Sequence, residues 1–213
     1  MAIEIRRLCT AQDKQAMLRQ RRAIFVNELG YADRHADPAD PLDNHAHLFG
    51  AFDGPRMVAS VRVNYGADVA GGGFGDYADH LAMHRFGHYF PDRLGMVTRL
   101  MIDPPYRAGT LMARIGVAIY EHTRSARPGT AFCLIDCVPP LKEFFVRLGY
   151  RQLGAPFKHP TAPPVLPMGF AVYDQAHFQH VRSPLARVCP RHDTQDVDWF
   201  VREFAAELRT FAR

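Results

Sequence analysis

VTRLMIDPPYRAGTLMARI, residues 97–115, is the stretch of sequence that decides the fold of this chain. Its first six residues are mostly apolar and predict a buried strand. Asp103–Tyr106 contains two consecutive prolines, and each of them disfavours the α-helical region for the preceding residue, so we predict a turn there. From Thr110 the apolar side chains recur at helical spacing, which predicts a helix.

A strand, a short basic loop with a glycine, and a helix in this order create an anion-binding site. The first N–H groups of a helix have no partner within the helix, and the helix dipole favours negative charge at that end. We therefore expect a phosphate-bearing molecule near Thr110. The alternative is an ordinary strand–loop–helix unit that binds no ligand.

The composition is that of a globular domain with a terminal extension. The chain has 213 residues, of which 47% are hydrophobic and 23% are charged. No apolar run approaches the ~20 residues of a membrane span, and the first residues lack the apolar core of a signal peptide. We therefore expect a cytoplasmic protein.

The charge is mildly basic, with a formal net charge of +4. There is no block of Lys and Arg and no recognised nucleic-acid motif, so nucleic-acid binding is unsupported. An anionic small molecule or an acidic protein suits this charge equally well. The cysteines lack the spacing of metal ligands, and we expect reduced core thiols. They are Cys9, Cys133, Cys137 and Cys189.

The segments before the deciding stretch predict a strand, a helix and a hairpin. Residues 2–8 alternate apolar and polar side chains, as a short strand does. Thr10 suits the N-cap of a helix that we expect to end near Leu29, where Gly30 follows. Asp53-Gly54 lies between two apolar runs and predicts a hairpin. Its strands are expected at 47–52 and 57–64.

Residues 66–95 form a long glycine-rich and aromatic segment before the strand at 97–102. Glycines such as the run Gly71–Gly73 permit motion, whereas aromatic side chains indicate that the segment covers apolar surface. We therefore expect a mobile cover over a binding pocket.

The segments after the deciding stretch predict a second strand–helix–strand unit and a tail. The expected elements are a strand at 131–137, a helix at 141–148 that ends at Gly149, and strands at 150–153 and 169–173, with a proline-rich link at 156–167. Residues 196–211 have the period of an amphipathic helix. We predict a domain over residues 1–182 and a C-terminal helical extension over 183–213, which packs on the domain rather than joining two subunits.

Arg21 lies on the apolar face of the first predicted helix, four residues from Met17 and from Phe25. A buried guanidinium needs a carboxylate because its desolvation is costly. Arg21 therefore either extends to solvent or reaches a polar site. The loop at 31–47 contains four aspartates and three histidines that could supply this site. A third ligand for a metal beside His45 and His47 is not evident, so we expect no metal.

The order of these elements resembles the GNAT N-acyltransferase fold. The run FFVRLGY, residues 144–150, is typical of the last helix and strand of that fold. Within the fold, the N-terminal half is similar to the acyl-homoserine-lactone (autoinducer) synthases and to the related N-acyl amino acid synthases. The matching residues are Arg21, Phe25, Tyr31 where the synthases usually carry Trp, Asp40, Asp43, Arg62, Thr98 and Arg99. The resemblance covers roughly residues 5–175.

The resemblance implies a mixed α/β (α+β) fold with a central, mostly antiparallel twisted sheet flanked by helices. It also implies N-acyl transfer from an acyl thioester to the amine of a small amino-acid-like acceptor, without a metal or a covalent enzyme intermediate. Positioning and electrostatic stabilisation would carry such catalysis. The expected catalytic network consists of Arg21, Asp40, Asp43, Arg62 and Arg99. The alternative for the same residues is a purely structural ion-pair cluster.

The donor implied by the resemblance is an acyl-phosphopantetheine thioester. The expected donor-binding residues are Met101, Ile102, Arg107, Ala108, Gly109 and Thr110. Thr110 and Met112 stand where acetyl-CoA-using members have small residues, and their side chains hinder the approach of a pyrophosphate. We therefore expect an acyl-carrier-protein as donor and partner rather than CoA. The alternatives are a conventional acetyl-CoA-dependent GNAT acetyltransferase and a non-catalytic acyl-binding sensor of the same fold.

Two positions depart from the patterns of the family. Met96 stands where autoinducer synthases carry a glutamate, so the acceptor site is incomplete for S-adenosylmethionine. Phe145 stands where many GNAT enzymes carry a general-acid tyrosine. Water or another group must therefore protonate the departing thiolate.

Overall fold

The computed structural model describes residues 3–31, 40–69, 74–158 and 163–211. Within these residues seven strands form one sheet in the order β1-β2-β3-β4-β5-β7-β6. The strands are β1 Glu4–Arg7, β2 His47–Asp53, β3 Arg56–Tyr65, β4 Leu94–Ile102, β5 Phe132–Cys137, β6 Arg151–Gln152 and β7 Leu166–Ala171. The pairs β1–β2, β2–β3, β5–β7 and β6–β7 are antiparallel. The predicted mixed α/β fold with a mostly antiparallel sheet is confirmed.

The α-helices are α1 Ala11–Arg21, α2 Tyr77–His80, α3 Leu111–Ala126, α4 Lys142–Leu148, α5 Gln175–His180, α6 Gln195–Glu203 and α7 Ala205–Thr210. The predicted α-helices are present in the expected order, α2 and α5 are additions, and α6 and α7 replace one predicted helix. Among the described residues, none of these helices has the length and apolar composition needed to cross a membrane. The chain divides into two compact units, residues 1–64 with 97–118, and residues 65–96 with 119–213.

The first unit begins with β1 and the predicted helix. Thr10 Oγ1 accepts a hydrogen bond from the Asp13 backbone N–H at 3.0 Å, and the Asp13 carboxylate accepts one from the Thr10 backbone N–H at 3.3 Å. This reciprocal capping fixes the start of α1. The helix continues as a π-helix over Arg22–Glu28, and Gly30 leaves it with a φ of 68°. The predicted end near Leu29 is therefore confirmed, although the wider π-helical turn lies outside what a 3.6-residue period predicts.

The core of the first unit is formed by apolar side chains from helix α1, its π-helical continuation and the strands. Leu8, Met17, Ile24, Leu48, Phe52 and Met101 are buried together. The predicted hairpin of β2 and β3 is also present, with Asp53 opposite Arg56 and Gly54 in the turn at a φ of 58°. Only glycine adopts that backbone conformation without steric cost, which explains the Asp-Gly sequence at this turn.

The segment that was expected to be a mobile cover instead contributes to the core of the second unit. Phe74 and Phe86 are fully buried. The ring of Phe86 lies 5.3 Å from that of Phe132 and 5.1 Å from that of Phe204. The C-terminal helices supply the apolar surface that these aromatic side chains need, so the expected cover is wrong for the described part of the segment. Gly71–Gly73 lie outside the described residues.

The C-terminal region differs from the single predicted helix at 196–211. It contains α6 and α7, with Phe204 between them. Phe200 and Phe204 are buried against aromatic side chains of the second unit. This burial agrees with the prediction that the region packs on the domain. Helix α5 was not predicted, and β7 begins at Leu166, three residues earlier than expected. The domain boundary at residue 182 stays a prediction.

The cysteines are all free thiols. Cys133, Cys137 and Cys189 are buried, as expected of core thiols. Cys9 is exposed, and the prediction is wrong for this residue because it lies between β1 and α1 with its side chain toward solvent.

A buried polar corner in the second unit connects β6 with helix α5. Asp174 caps the helix by accepting a hydrogen bond from the His177 backbone N–H at 3.0 Å, and it accepts another from Arg151 Nη2 at 2.7 Å. Burial and the nearby charge of Arg151 together lower the pKa of His177 from 6.5 to about 4. The imidazole is therefore neutral in the folded protein at pH 7.

We expect the His177→Gln variant to lose less stability than the parent when the pH falls from 7 to 5. The unfolded chain binds a proton at His177 below about pH 6.5, whereas the folded chain does not until about pH 4. This difference destabilises the parent as the pH falls through that window, by at most about 1.4 kcal/mol per pH unit. The measurement is the midpoint of thermal unfolding at pH 7, 6 and 5. His84→Gln, at an exposed position, should behave like the parent, and an unchanged pH dependence in His177→Gln would contradict the assignment.

Candidate functional site

Arg21 lies at the centre of a polar network within the first unit. Its side chain is fully buried, and both of its Nη atoms donate to Asp43, at 2.6 and 3.1 Å. Such a bidentate pair is the strong form of a guanidinium–carboxylate contact. Of the two alternatives for Arg21, extension to solvent is excluded and contact with a polar site is observed. Met17 borders the same guanidinium, with its Sδ 3.8 Å from Nη2.

Arg62, on β3, joins both aspartates of the network. Its Nη1 donates to Asp40 at 2.6 Å and to Asp43 at 3.1 Å, and its Nε donates to Thr98 Oγ1 on β4 at 2.9 Å. The Arg62 side chain is fully buried. A strand alternates its side chains between two faces, which turns Arg62 toward the loop that carries the aspartates.

Arg99 is the most exposed arginine of the network, with 13% of its side chain accessible. Its Nη2 donates to Asp40 at 3.1 Å, and its guanidinium lies 5.7 Å from the centre of the Phe25 ring. Arg99 has a φ of 55°, a left-handed conformation inside β4 that a residue with a Cβ adopts at a cost of about 1–2 kcal/mol. Such a position interrupts the regular alternation of the strand and redirects the side chain, as happens in β-bulges near functional sites.

The aspartates are presented by a short 3-10 turn at Pro41–His45. Asp40 caps this turn by accepting a hydrogen bond from the Leu42 backbone N–H at 3.1 Å. Asn64 Nδ2 donates to the Leu42 carbonyl at 2.7 Å and so ties the turn to the end of β3. Residues 32–39 of the predicted loop lie outside the described residues.

The network holds the Asp40 carboxylate ionised. Burial raises the pKa of Asp40, but the positive charges of Arg62 and Arg99 and the hydrogen bond from Arg62 outweigh burial, so the pKa is lowered. Among the described residues, the network joins three guanidinium groups with two carboxylates. A carboxylate with a lowered pKa is a weak general base at neutral pH.

The predicted donor loop follows β4. Met101 and Ile102 are buried at the end of the strand, Pro104–Tyr106 forms a 3-10 turn, and Gly109 has a φ of 140°. Helix α3 begins at Leu111, with the Thr110 carbonyl accepting from the Arg114 backbone N–H at 2.9 Å. The N-terminal N–H groups of α3 thus follow Ala108–Thr110, as predicted.

Arg107 and Arg114, on either side of the start of α3, have partners inside the first unit. Arg107 pairs with Glu28 through both Nη atoms, and its Nε donates to the Ile102 carbonyl at 2.8 Å. Arg114 donates to the Ile3 carbonyl at 2.6 Å. Because α3 starts at Leu111, Arg107 lies outside the helix and Arg114 lies within its first turn.

A second buried polar chain borders Arg21 and was not predicted. Ser60 Oγ donates to Gln20 Oε1 at 2.7 Å, Gln20 Nε2 donates to Asp103 at 2.8 Å, and Asp103 also accepts from Arg56 at 2.8 Å. It connects α1 with the turn after β4. The sequence signal was the polar Ser60 within an apolar strand, which indicates a partner for a buried hydroxyl.

No group of three or more metal-ligating side chains occurs among the residues that the structure describes. His45 ends the 3-10 turn and His47 begins β2. Met96 and Phe145, the two positions that depart from the family patterns, are buried apolar residues of the second unit.

The comparisons with known proteins agree with this architecture. The family model described as N-acyl amino acid synthase FeeM matches residues 16–171. The structure of FeeM, an N-acyl amino acid synthase from uncultured soil microbes, is 18% identical, with a TM-score of 0.64 over 89% of this chain and 99% of that chain. A comparison with curated proteins finds no match.

Two further solved structures share the fold at low identity. BjaI, a CoA-dependent acyl-homoserine lactone synthase determined with SAM and isopentyl-CoA, is 18% identical, with a TM-score of 0.62 over 86% of this chain and 91% of that chain. An acyl-CoA N-acyltransferase from Pseudomonas aeruginosa is 15% identical, with a TM-score of 0.58 over 79% and 97%. The synthase-like resemblance and the GNAT fold predicted from the sequence are thereby confirmed.

We expect Arg21→Ala to lower the free energy of unfolding by about 3 kcal/mol or more, because it leaves the partly buried Asp43 carboxylate without the fully buried guanidinium that binds both of its oxygens. The measurement is denaturant-induced unfolding. Arg19→Ala, at an exposed position of the same helix, is the matched control and should change the stability by less than about 0.5 kcal/mol. Equal stability of the two variants would show that the Arg21–Asp43 pair does not stabilise the fold.

Proposed function

This chain belongs to the FeeM family of N-acyl amino acid synthases, and from that membership we propose that it transfers an acyl group from an acyl-carrier-protein thioester to the amine of a small amino acid. The observation that carries the proposal is the network of Arg21, Arg62 and Arg99 around Asp40 and Asp43, in which Arg99 is the most accessible guanidinium. An amino acid offers a carboxylate that this guanidinium can bind.

The acceptor carboxylate lies beside Arg99 in this proposal. Arg21 and Arg62 are fully buried, whereas part of the Arg99 side chain is accessible. Asp40 fixes the Arg99 guanidinium, and Arg62 in turn fixes Asp40. Arg21, Arg62, Asp40 and Asp43 are then positioning residues, which hold Arg99 and the 3-10 turn in place.

The chemical step is nucleophilic attack by the acceptor amine on the thioester carbonyl. The amine loses a proton, the carbon–nitrogen bond forms, the carbon–sulfur bond breaks, and the thiolate takes up a proton. Because the lowered pKa makes Asp40 a weak base, water relays the proton that the amine loses to the departing thiolate. Holding amine and thioester together supplies most of the rate enhancement.

The donor phosphate lies at the N-terminus of α3 in this proposal. The free N–H groups there favour an anion, and Gly109 permits a close approach because it has no side chain and a φ of 140°. Arg107 shapes this loop rather than meeting the carrier protein, because it connects Glu28 with the carbonyl at the end of β4. The side chains of Thr110 and Met112 crowd the space that a nucleotide pyrophosphate would need, which favours a carrier-protein thioester as the donor. In this proposal the reaction takes place in the cytoplasm.

We expect dodecanoyl-acyl-carrier-protein to give at least tenfold higher kcat/KM than dodecanoyl-CoA with a mixture of the common amino acids. The phosphopantetheine of the acyl-carrier-protein brings one phosphate to the donor loop, whereas CoA must also fit its pyrophosphate there. Mass spectrometry of the products identifies the acceptor, and thiol release gives the rates. Efficient turnover with acetyl-CoA, together with poor use of the carrier-bound donor, would contradict this proposal and favour a conventional acetyltransferase.

We expect Arg99→Gln to raise the KM for the amino acid by tenfold or more, with a smaller change in the KM for the donor. Loss of a charge-assisted contact to a carboxylate removes about 1.5–3 kcal/mol. Arg99→Lys keeps the charge and should recover part of the affinity, and Arg19→Gln should match the parent. An effect of Arg99→Gln on the donor KM alone would place this residue at the donor instead.

A further inference from the structure

The second unit contains a pocket that shares no residue with the network or the donor loop. Its volume is about 340 Å³, which lies at the small end of the range for ligand pockets. It is bounded by α4, the edge strand β6, α5 and the end of the chain. The lining residues are Lys142, Glu143, Val146, Tyr150, Arg151, Gln152, His177, His180, Val181, Leu208 and Phe211.

Two lining side chains have buried polar atoms that lack a hydrogen-bond partner among the described residues. These atoms are Arg151 Nη1 and His177 Nε2. The rest of each side chain is held in place, because Arg151 Nη2 donates to Asp174 at 2.7 Å and His177 makes a hydrogen bond with the backbone of Gly149. A buried polar atom without a partner is costly, and native structures rarely retain one without a reason. Arg151 Nη1 would gain an acceptor from a small anion, and His177 Nε2, an acceptor in the neutral ring, would gain the proton that a nearby negative charge favours.

The charge of the lining favours an anion at this place. Lys142, Arg151 and His180 carry or can carry positive charge, whereas Glu143 is the acidic residue among the lining side chains. The Asp174 carboxylate already pairs with Arg151 on the side of α5. A carboxylate is an acceptor-only group that pairs closely with a guanidinium.

The remainder of the lining is apolar. Val146, Tyr150, Val181, Leu208 and Phe211 supply this surface. A strongly hydrated anion such as phosphate gains nothing from such walls, whereas a short hydrocarbon chain does. We propose that this pocket is a binding site for a small carboxylate with a short apolar tail, held by Arg151 at its charged end and lying beside His177.

The ligand could be a free short-chain acid or an N-acyl amino acid, since both carry this chemistry. The second of these rests on the proposed acyl transfer, whereas the site itself does not. Comparing hexanoate with N-hexanoylglycine separates the two sources, and tighter binding of either one supports the site.

The test is titration of the full chain with hexanoate, followed by NMR of the histidine ring signals, with that of His177 assigned from His177→Gln. We expect saturable shifts at His177, and binding of hexan-1-ol and of inorganic phosphate at least tenfold weaker than that of hexanoate. Bound carboxylate also favours the imidazolium, so the pKa of His177 should rise from about 4. Arg151, Asp174 and His180 are the other charged or titratable groups that act on this ring.

Variants assign the binding to this pocket. Arg151→Gln should weaken hexanoate binding at least tenfold, and Val146→Trp should block it by filling the pocket without changing a charge. Arg147→Gln, at an exposed position of α4 outside the pocket, is the matched control and should bind like the parent. Val146→Trp keeps the test valid if Arg151→Gln fails to fold. Hexanoate binding that survives Val146→Trp, or equal binding of phosphate, would overturn the proposal.

Discussion

The first unit depends on a single requirement, that Arg21 and Arg62 be neutralised where water cannot reach them. Both side chains are fully buried, and Asp43 contacts each of them. A charge removed from water without a partner is far more costly than an ordinary packing defect. The 3-10 turn at Pro41–His45 is therefore held against α1 and β3 by electrostatics, and it brings Asp40 to Arg99 as a result.

Arg99 shows how this requirement affects the local backbone. A left-handed residue within a strand is unfavourable and persists only where its surroundings determine it. Here Asp40 holds the guanidinium, and the Phe25 ring lies below it. The strain therefore places one accessible cation at the border of an otherwise closed network. Rigid positioning of this kind is what a binding group for a small anionic substrate needs.

The sequence predicted the elements whose signals are local. Thr10 with Asp13 determines a helix start, and Asp53-Gly54 determines a hairpin, because the necessary contacts lie within a few residues. The set Arg21, Asp40, Asp43, Arg62 and Arg99 could be named from the family resemblance, and the structure brings these residues together, while their roles in acyl transfer stay a proposal. The burial of Phe86 could not be predicted in this way, because one of its apolar partners, Phe204, comes more than a hundred residues later. Helix α5 is six residues long, and Asp174 and the packing of Phe178 stabilise it rather than any periodic pattern.

Arg62 Nη1 is shared between Asp40 and Asp43, and this has a consequence for how such a chain can diverge. Replacing one arginine by a neutral residue removes a partner from a carboxylate. Replacing one aspartate removes a carboxylate partner from two guanidinium groups at once. Single steps away from the set are therefore disadvantageous, although simultaneous apolar replacement of a whole pair can be tolerated energetically. The effects of substitutions at these positions should therefore depend on one another. We expect the arginines and aspartates of the network to be retained or lost together, whereas the surrounding apolar residues can be substituted individually.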